Sequence, residues 1–287
     1  MFSLCSVYVQ CEVFAKLLTF IVMLRKVHVR GGGPLQLFSN SPMWWACGNH
    51  NPSGSATGLT DNLQSWNQGQ HAQYLATVAM VAKAKWGIGE AGFDSVEAFN
   101  EPVSLWWNAH GTQEGCHFGH TTQATVSKDL RNALDAAGLN GIAVAASDEN
   151  TYTEALSTWK SLDASAKEAV GLVTVHGYEQ GNGRRDLLFA AVKGKRLWNS
   201  EYGEGDASGM SLATNLNLDF RWLHNTAWVY WQVMDGGGWG LLDSDPVKGT
   251  IKAVNTKYVS PRTTERMLHH RCTSIITFTK ALGLAIL

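Results

Sequence analysis

The sequence is short of charge: Asp, Glu, Lys and Arg make up 16% of its 287 residues, and the formal net charge is -1. No basic stripe stands out, which argues against nucleic acid or acidic lipid as the main partner. Cysteine is sparse as well. The five present include no Cys-x-x-Cys pair, so neither a zinc ribbon nor a thioredoxin-like site is supported, and they leave the redox compartment open. An Asn-x-Ser/Thr acceptor is also missing, because the proline of Asn51-Pro52-Ser53 disqualifies that near match. The apolar stretch Val13 to Leu24 is too short to span a bilayer comfortably and carries Lys16 inside it. As a signal peptide it is poor, with no basic segment ahead of it, no small-residue cleavage site and its charges following the apolar run. Nucleotide and metal signatures are lacking too. "GIGEAG", Gly87 to Gly92, matches Gly-x-Gly-x-x-Gly, but it follows a helical pattern and precedes a strand, the reverse of the dinucleotide context, and reads as a helix stop. No Walker lysine pattern and no His-Glu-x-x-His occurs, so no cofactor and no metal is expected.

What is abundant is apolar surface and tryptophan. An apolar content of 45% over this length suits one large domain with a sizeable core. Of the 12 tryptophans, Trp44, Trp45, Trp106, Trp107, Trp231 and Trp239 fall in loops or at strand ends. A flat indole with one polar edge suits stacking on the apolar face of a ring-shaped ligand such as a sugar.

Strand-like and helix-like segments alternate from Arg30 onward. Short apolar runs are read at Pro34–Pro42, Asp94–Pro102, Gly141–Asn150, Gly171–Glu179, Lys195–Glu201 and Thr226–Asp235. Helical periodicity is read at about Leu63–Lys85, Thr122–Ala137, Glu154–Leu162, Arg185–Val192 and Met210–Leu223, with a final helix at Ile251–Tyr258. Nearly continuous apolar strands alternating with amphipathic helices predict a parallel sheet covered by helices. Polar residues gather at the carboxyl ends of those strands: Asn40, Glu101, Asp148, His176, Tyr178, Glu201 and Gln232. A (β/α)8 TIM barrel assembles its site there.

Two of these residues carry the chemistry. Glu101 ends the second clear strand, in "EAFNEP", and Glu201 ends the fifth, in "WNSEYGEGD", 100 residues later. A barrel averages roughly 31 residues per unit, so the two glutamates are expected about three strands apart, facing each other across one cleft. Paired carboxylates serve glycoside hydrolysis: one is protonated to assist the leaving oxygen, the other ionised to attack the anomeric carbon or activate water. The bland alternative makes each a surface or ion-paired residue.

Asn100-Glu101-Pro102 resembles the acid/base motif of the large clan of retaining (β/α)8 glycosidases. The segments "LFSNSPMWW", "NHNPSGS", "EAFNEP", "QEGCHF", "VHGY", "GRRDLL", "LWNSEYGEGDASGMSLATNLNLDFRWL" and "AWVYWQVMDGGGWGL" resemble family 30 glycoside hydrolases. Within that family they are similar to the fungal and bacterial endo-β-1,6-galactanases. The resemblance implies a retaining endo-glycosidase of arabinogalactan side chains, extracellular and monomeric. It makes Glu101 the acid/base and Glu201 the nucleophile, with carboxyls about 5 Å apart. Asn100 would hydrogen-bond the sugar hydroxyl next to the anomeric carbon, Tyr178 and His176 would orient the nucleophile, and Trp44 and Trp231 would wall the subsite of the cleaved sugar. For His176 and Trp44 the alternatives are a satisfied core histidine and barrel packing.

The resemblance runs from about residue 23 to 259. Residues 1–22 and 260–287 do not match, so the expectation is an incomplete barrel lacking its first one or two strands, and no accessory β-sandwich. Alternatives from other classes are an inactive or weakly sugar-binding remnant, and another family 30 activity on glucan or xylan. Cys47 and Cys116 follow strand-end motifs on consecutive units and are candidates for a disulfide, with two buried thiols as the alternative.

Overall fold

The computed structural model describes residues 18–31, 33–90, 92–245, 247–258 and 275–277. The chain divides after Val144 into two compact units.

The first unit opens with a helix, α1, over residues 18–29. Strand β1 (Gln36–Phe38), helix α2 (Gln68–Lys85), strand β2 (Ser95–Glu97) and helix α3 (His120–Ala136) follow. β1 and β2 pair in parallel, Leu37 beside Val96. The ladder runs on past both strands, because the Ser39 amide donates to the Glu97 carbonyl at 3.1 Å. On α2 the buried positions His71, Ala72, Leu75, Ala76, Ala79 and Ala82 recur every three or four residues. Such a stripe of small side chains lets the helix pack closely on its neighbours, α3 among them. Arg25 of α1 donates to the carbonyls of Lys85 and Trp86, which satisfies acceptors that α2 leaves open at its C-terminus. His71 lies in the core with Nε2 3.3 Å from the Ala98 carbonyl just past β2. Burial pushes its pKa down to about 4, so the ring is neutral and its Nε2–H donates to that carbonyl.

Strand β3 (Ala143–Glu149) carries the chain into the second unit. There α4 (Tyr152–Ser161), α5 (Ala164–Ala169), β4 (Val170–His176), α6 (Arg185–Ala191), β5 (Arg196–Tyr202), α7 (Met210–Leu218) and β6 (Ala227–Tyr230) follow in order. β4, β5 and β6 are parallel neighbours, with Val173 beside Leu197 and Asn199 beside Trp228. Helix starts are set by sequence. Thr151 and Glu154 form a reciprocal capping box on α4, and Asp163 caps α5. A π turn, Asp219–Leu223, extends α7 and delivers Asp219 to a buried hub. That carboxylate accepts from Tyr152 Oη (2.6 Å), Asn199 Nδ2 (2.6 Å), Trp228 Nε1 (2.8 Å) and Arg185 Nε. One side chain thus fastens α4, α6, β5 and β6 together.

β1 and β2 in the first unit, and β4, β5 and β6 in the second, pair in parallel and alternate with helices, as the periodicity predicts. Two local expectations are corrected. The strand read over Thr226–Asp235 stops at Tyr230. Its last residues form β7 (Met234–Asp235) of a separate sheet with β8 (Leu242–Asp245) and β9 (Thr250–Val254). The helix read over Ile251–Tyr258 is β9 followed by a single 3-10 turn. β8 and β9 form an antiparallel hairpin whose turn contains Gly249 at φ +63° and is closed by the Lys248 amide donating to Asp245. The run "DPVKG", Asp245 to Gly249, is turn chemistry, and it outweighs a three-residue apolar spacing. Last, β10 (Ile275–Thr277), in the stretch that matched no motif, pairs in parallel along β6.

Candidate active site

In the first unit the chain leaves β2 through buried Ala98, Phe99 and Asn100 to Glu101. Glu101 has φ +49°, the left-handed region, which is uncommon for a residue with a side chain and turns the strand sharply at this point. Its carbonyl is held twice, by Trp107 Nε1 at 2.9 Å and by the Ser104 amide at 3.0 Å. Trp107 in turn sits between two glycines that admit no larger residue. A Cβ on Gly54 would lie 2.0 Å from the Trp107 carbonyl oxygen, and one on Gly115 would lie 2.0 Å from its ring. The motifs "NHNPSGS" and "QEGCHF" therefore act on Glu101 through the tryptophan they clamp.

Trp44 stands in the short 3-10 turn after β1, edge-on to Trp45 (6.0 Å) and His50 (5.9 Å). It is 48% exposed, so it is not core packing, and its indole remains available to a ligand. Cys47 and Cys116 are buried free thiols rather than a disulfide. Burial pushes the Cys47 pKa up to about 11 and that of Cys116 higher still, which keeps both neutral and unreactive.

In the second unit β4 and β5 end together. Their register slips by one residue, so that Val175 lies beside Asn199 but His176 beside Glu201. The same stretch of β5 gains a residue on β6 as well, Asn199 facing Trp228 and Tyr202 facing Tyr230. A bulge of this kind re-aims a side chain at the strand end, here Glu201. Gly177 permits the closure, since a Cβ there would meet Asn199 Nδ2 at 2.8 Å and Tyr152 Oη at 3.1 Å.

Tyr178 Oη donates to Glu201 Oε1 at 2.8 Å. His176 Nδ1 lies 3.6 Å from the same oxygen, and its Nε2 lies 3.3 Å from Asp148 Oδ1. His176 therefore lies between two carboxylates. Trp231 follows β6, is half-buried, and its amide donates to the Tyr202 carbonyl at 2.8 Å. Of the residues read from sequence, the structure joins His176, Tyr178 and Glu201 in direct contact. Asn100 and Glu101 are neighbours on one buried strand end, and Trp44 and Trp231 stand at the ends of β1 and β6.

Sequence reasoning missed part of the support. Asp148 was visible only as one polar strand-end residue, although the Ser200 hydroxyl also donates to it. Glu204 and Lys257 were not singled out. Lys257 is fully buried and donates to the Glu204 carbonyl (2.7 Å), to its carboxylate (3.0 Å) and to Tyr230 Oη (2.9 Å). A lysine inside a predicted helix gave no hint of that.

A buried carboxylate at a strand end, with a tyrosine hydroxyl donating to it, is an arrangement that nucleophilic attack at a sugar carbon could use. The family model of glycosyl hydrolase family 59 matches residues 36–281. The chain belongs to glycosyl hydrolase family 59. Within this glycosyl hydrolase context, the endo-β-1,6-galactanase of Hypocrea rufa is 56% identical over 238 residues, covering 82% of this chain and 48% of that protein. An exo-β-1,6-galactobiohydrolase of Bifidobacterium longum is 22% identical, over 70% of this chain and 16% of its own length. The family 59 chain thus spans about half the length, or less, of the curated relatives it matches.

Among solved structures, the catalytic domain of a family 30 xylanase C from Talaromyces cellulolyticus superposes with a TM-score of 0.63. It is 19% identical and covers 83% of this chain and 56% of that one. A conserved exported protein from Bacteroides fragilis gives 0.64 at 17% identity, over 80% and 56%. The family 59 chain has the α/β fold of these proteins, of incomplete (β/α)8 barrel type. The wider expectation of a glycoside hydrolase holds, while the matching family model is 59 and not the 30 that the motifs resembled.

Proposed function

We propose that this chain carries the catalytic residues of a retaining endo-glycosidase that cleaves β-1,6-galactan side chains of arabinogalactan. The observation that carries the reading is Glu201 at the bulged end of β5, with the Tyr178 hydroxyl on Oε1 and His176 beside it. The 56% identity to an endo-β-1,6-galactanase supports the substrate class. The motif resemblance to family 30 supports a kinship with that family as well, and with it an extracellular, monomeric enzyme.

In this reading Glu101 protonates the glycosidic oxygen as the bond to the anomeric carbon breaks, and the Glu201 carboxylate forms a glycosyl-enzyme ester. Glu101, now ionised, takes a proton from water as the water displaces Glu201, and the sugar leaves with its original β configuration. Asn100 holds the sugar hydroxyl next to the anomeric carbon, and Trp44 and Trp231 wall that sugar ring. Residues 23–259 hold this machinery in the proposal.

Incubation of the purified chain with de-arabinosylated arabinogalactan tests it. Mixed β-1,6-galacto-oligosaccharides are expected from the first minutes, with no product from xylan or β-glucan. Release from xylan or glucan instead would move the activity elsewhere, and no release from any polymer would leave a sugar-binding remnant.

A further inference from the structure

We propose that Asp148 is a positioning residue for the nucleophile, acting through His176; the inference rests on the functional reading above and names one more residue of that site. Asp148 and His176 are both fully buried, and Asp148 Oδ1 lies 3.3 Å from His176 Nε2. The other imidazole nitrogen, Nδ1, lies 3.6 Å from Glu201 Oε1. The order carboxylate, imidazole, carboxylate favours a proton on both ring nitrogens. Were Nδ1 bare, its lone pair would face the Glu201 oxygen at close range. Were Glu201 protonated instead, it would not be a nucleophile. With Asp148 ionised, both ring nitrogens carry hydrogens, one directed at each carboxylate.

Asp148 is itself held with care. The Ser200 hydroxyl donates to Oδ1, and its own amide donates to Thr174 Oγ1 at 3.1 Å. Its φ is +58°, a conformation that residues with a Cβ rarely adopt and that persists only where the surroundings impose it. Ser200 is the residue next to Glu201 in the β5 bulge. The slip that re-aims Glu201 thus also supplies the hydroxyl that fixes Asp148, and both ends of the imidazole are set by one backbone irregularity.

The test uses the whole chain and two readouts. Asp148→Asn keeps the size of the side chain and removes its charge. Its kcat on β-1,6-galacto-oligosaccharide should fall about 10- to 100-fold, the range for losing one charge-assisted contact. KM should stay within about threefold, because no substrate contact is removed. Nitrogen-15 spectra of histidine-labelled protein, with His176 assigned by its loss in His176→Phe, should show both ring nitrogens protonated at pH 7 in the parent. In Asp148→Asn only one should be protonated. A parent ring protonated on one nitrogen overturns the proposal even if the variant does not fold. A folded Asp148→Asn with unchanged kcat overturns it as well. A parent without glycosidase activity but with a doubly protonated His176 would sink the functional reading and leave the Asp148–His176–Glu201 chain standing.

Discussion

Replacing Tyr178 by phenylalanine removes one oxygen, and the structure says what that oxygen does. It donates to Glu201 Oε1 at 2.8 Å. The ring has other reasons to stay where it is, since it stacks on Tyr202 at 6.5 Å and lies edge-on to His176 at 5.8 Å. The perturbation is therefore close to the loss of a single hydrogen bond to a carboxylate, worth about 1.5–3 kcal/mol. At 1.36 kcal/mol per factor of ten, Tyr178→Phe should lower kcat/KM about 10- to 150-fold. Glu201 keeps its contact with His176, so activity should not vanish. The residual turnover of Tyr178→Phe would then measure what that second contact holds. The ring remains in its packing, so urea midpoints of parent and variant should agree closely. The assay is initial rate against concentration of a β-1,6-galacto-oligosaccharide, beside urea unfolding followed by tryptophan fluorescence. A well-folded variant within twofold of the parent would refute the claim that Tyr178 orients the nucleophile. A loss matched by an equal loss of folded protein would refute it too.

Other expectations follow from the same geometry. Asp219→Ala leaves Arg185 buried without its counter-ion and strips partners from Tyr152, Asn199 and Trp228, so urea unfolding should show a loss of about 3–5 kcal/mol; a loss under 1 kcal/mol would mean that the hub is not what fastens β5 and β6. Glu201→Gln should abolish turnover for every leaving group, whereas Glu101→Gln should spare activated aryl glycosides in the first step and yield a β-glycosyl azide when azide is added; azide rescue to the β product in Glu201→Gln, with none in Glu101→Gln, would reverse the two roles. Cys47 and Cys116, neutral when folded, should escape thiol reagents at pH 8 and react in urea, as read peptide by peptide; protection that persists in urea would reveal a disulfide. The sign for stability follows, because the folded thiols hold their protons more tightly than the ordinary value of 9.0. The stability they contribute is complete below pH 9 and declines as pH rises toward 11.

The parts of the fold legible in the sequence are those where periodicity and burial coincide. β4 and β5 are runs buried on both faces, and α2 shows its alanine stripe plainly. Glu101, Glu201, His176 and Tyr178 were legible for a related reason: a polar residue that ends an apolar run needs an explanation. What escaped was everything set by register or by turn chemistry. The β5 bulge leaves no mark in composition, yet it pairs His176 with Glu201. The β8–β9 hairpin was hidden because its alternation covers only a few residues, and its turn is the stronger signal. Asp148 and Lys257 were opaque because their roles depend on partners 52 and 53 residues away, Ser200 and Glu204, which no local pattern reveals.

The central claim is a double displacement on two glutamates, and the configuration of the first product tests it most directly. Proton NMR of a β-1,6-galacto-oligosaccharide digest in its first minutes, before mutarotation, resolves the two anomers of the new reducing end. The account predicts the β anomer first, with α growing in later at the rate of mutarotation. An α anomer appearing first would show inversion by a single displacement through water, and Glu201 would not be a nucleophile.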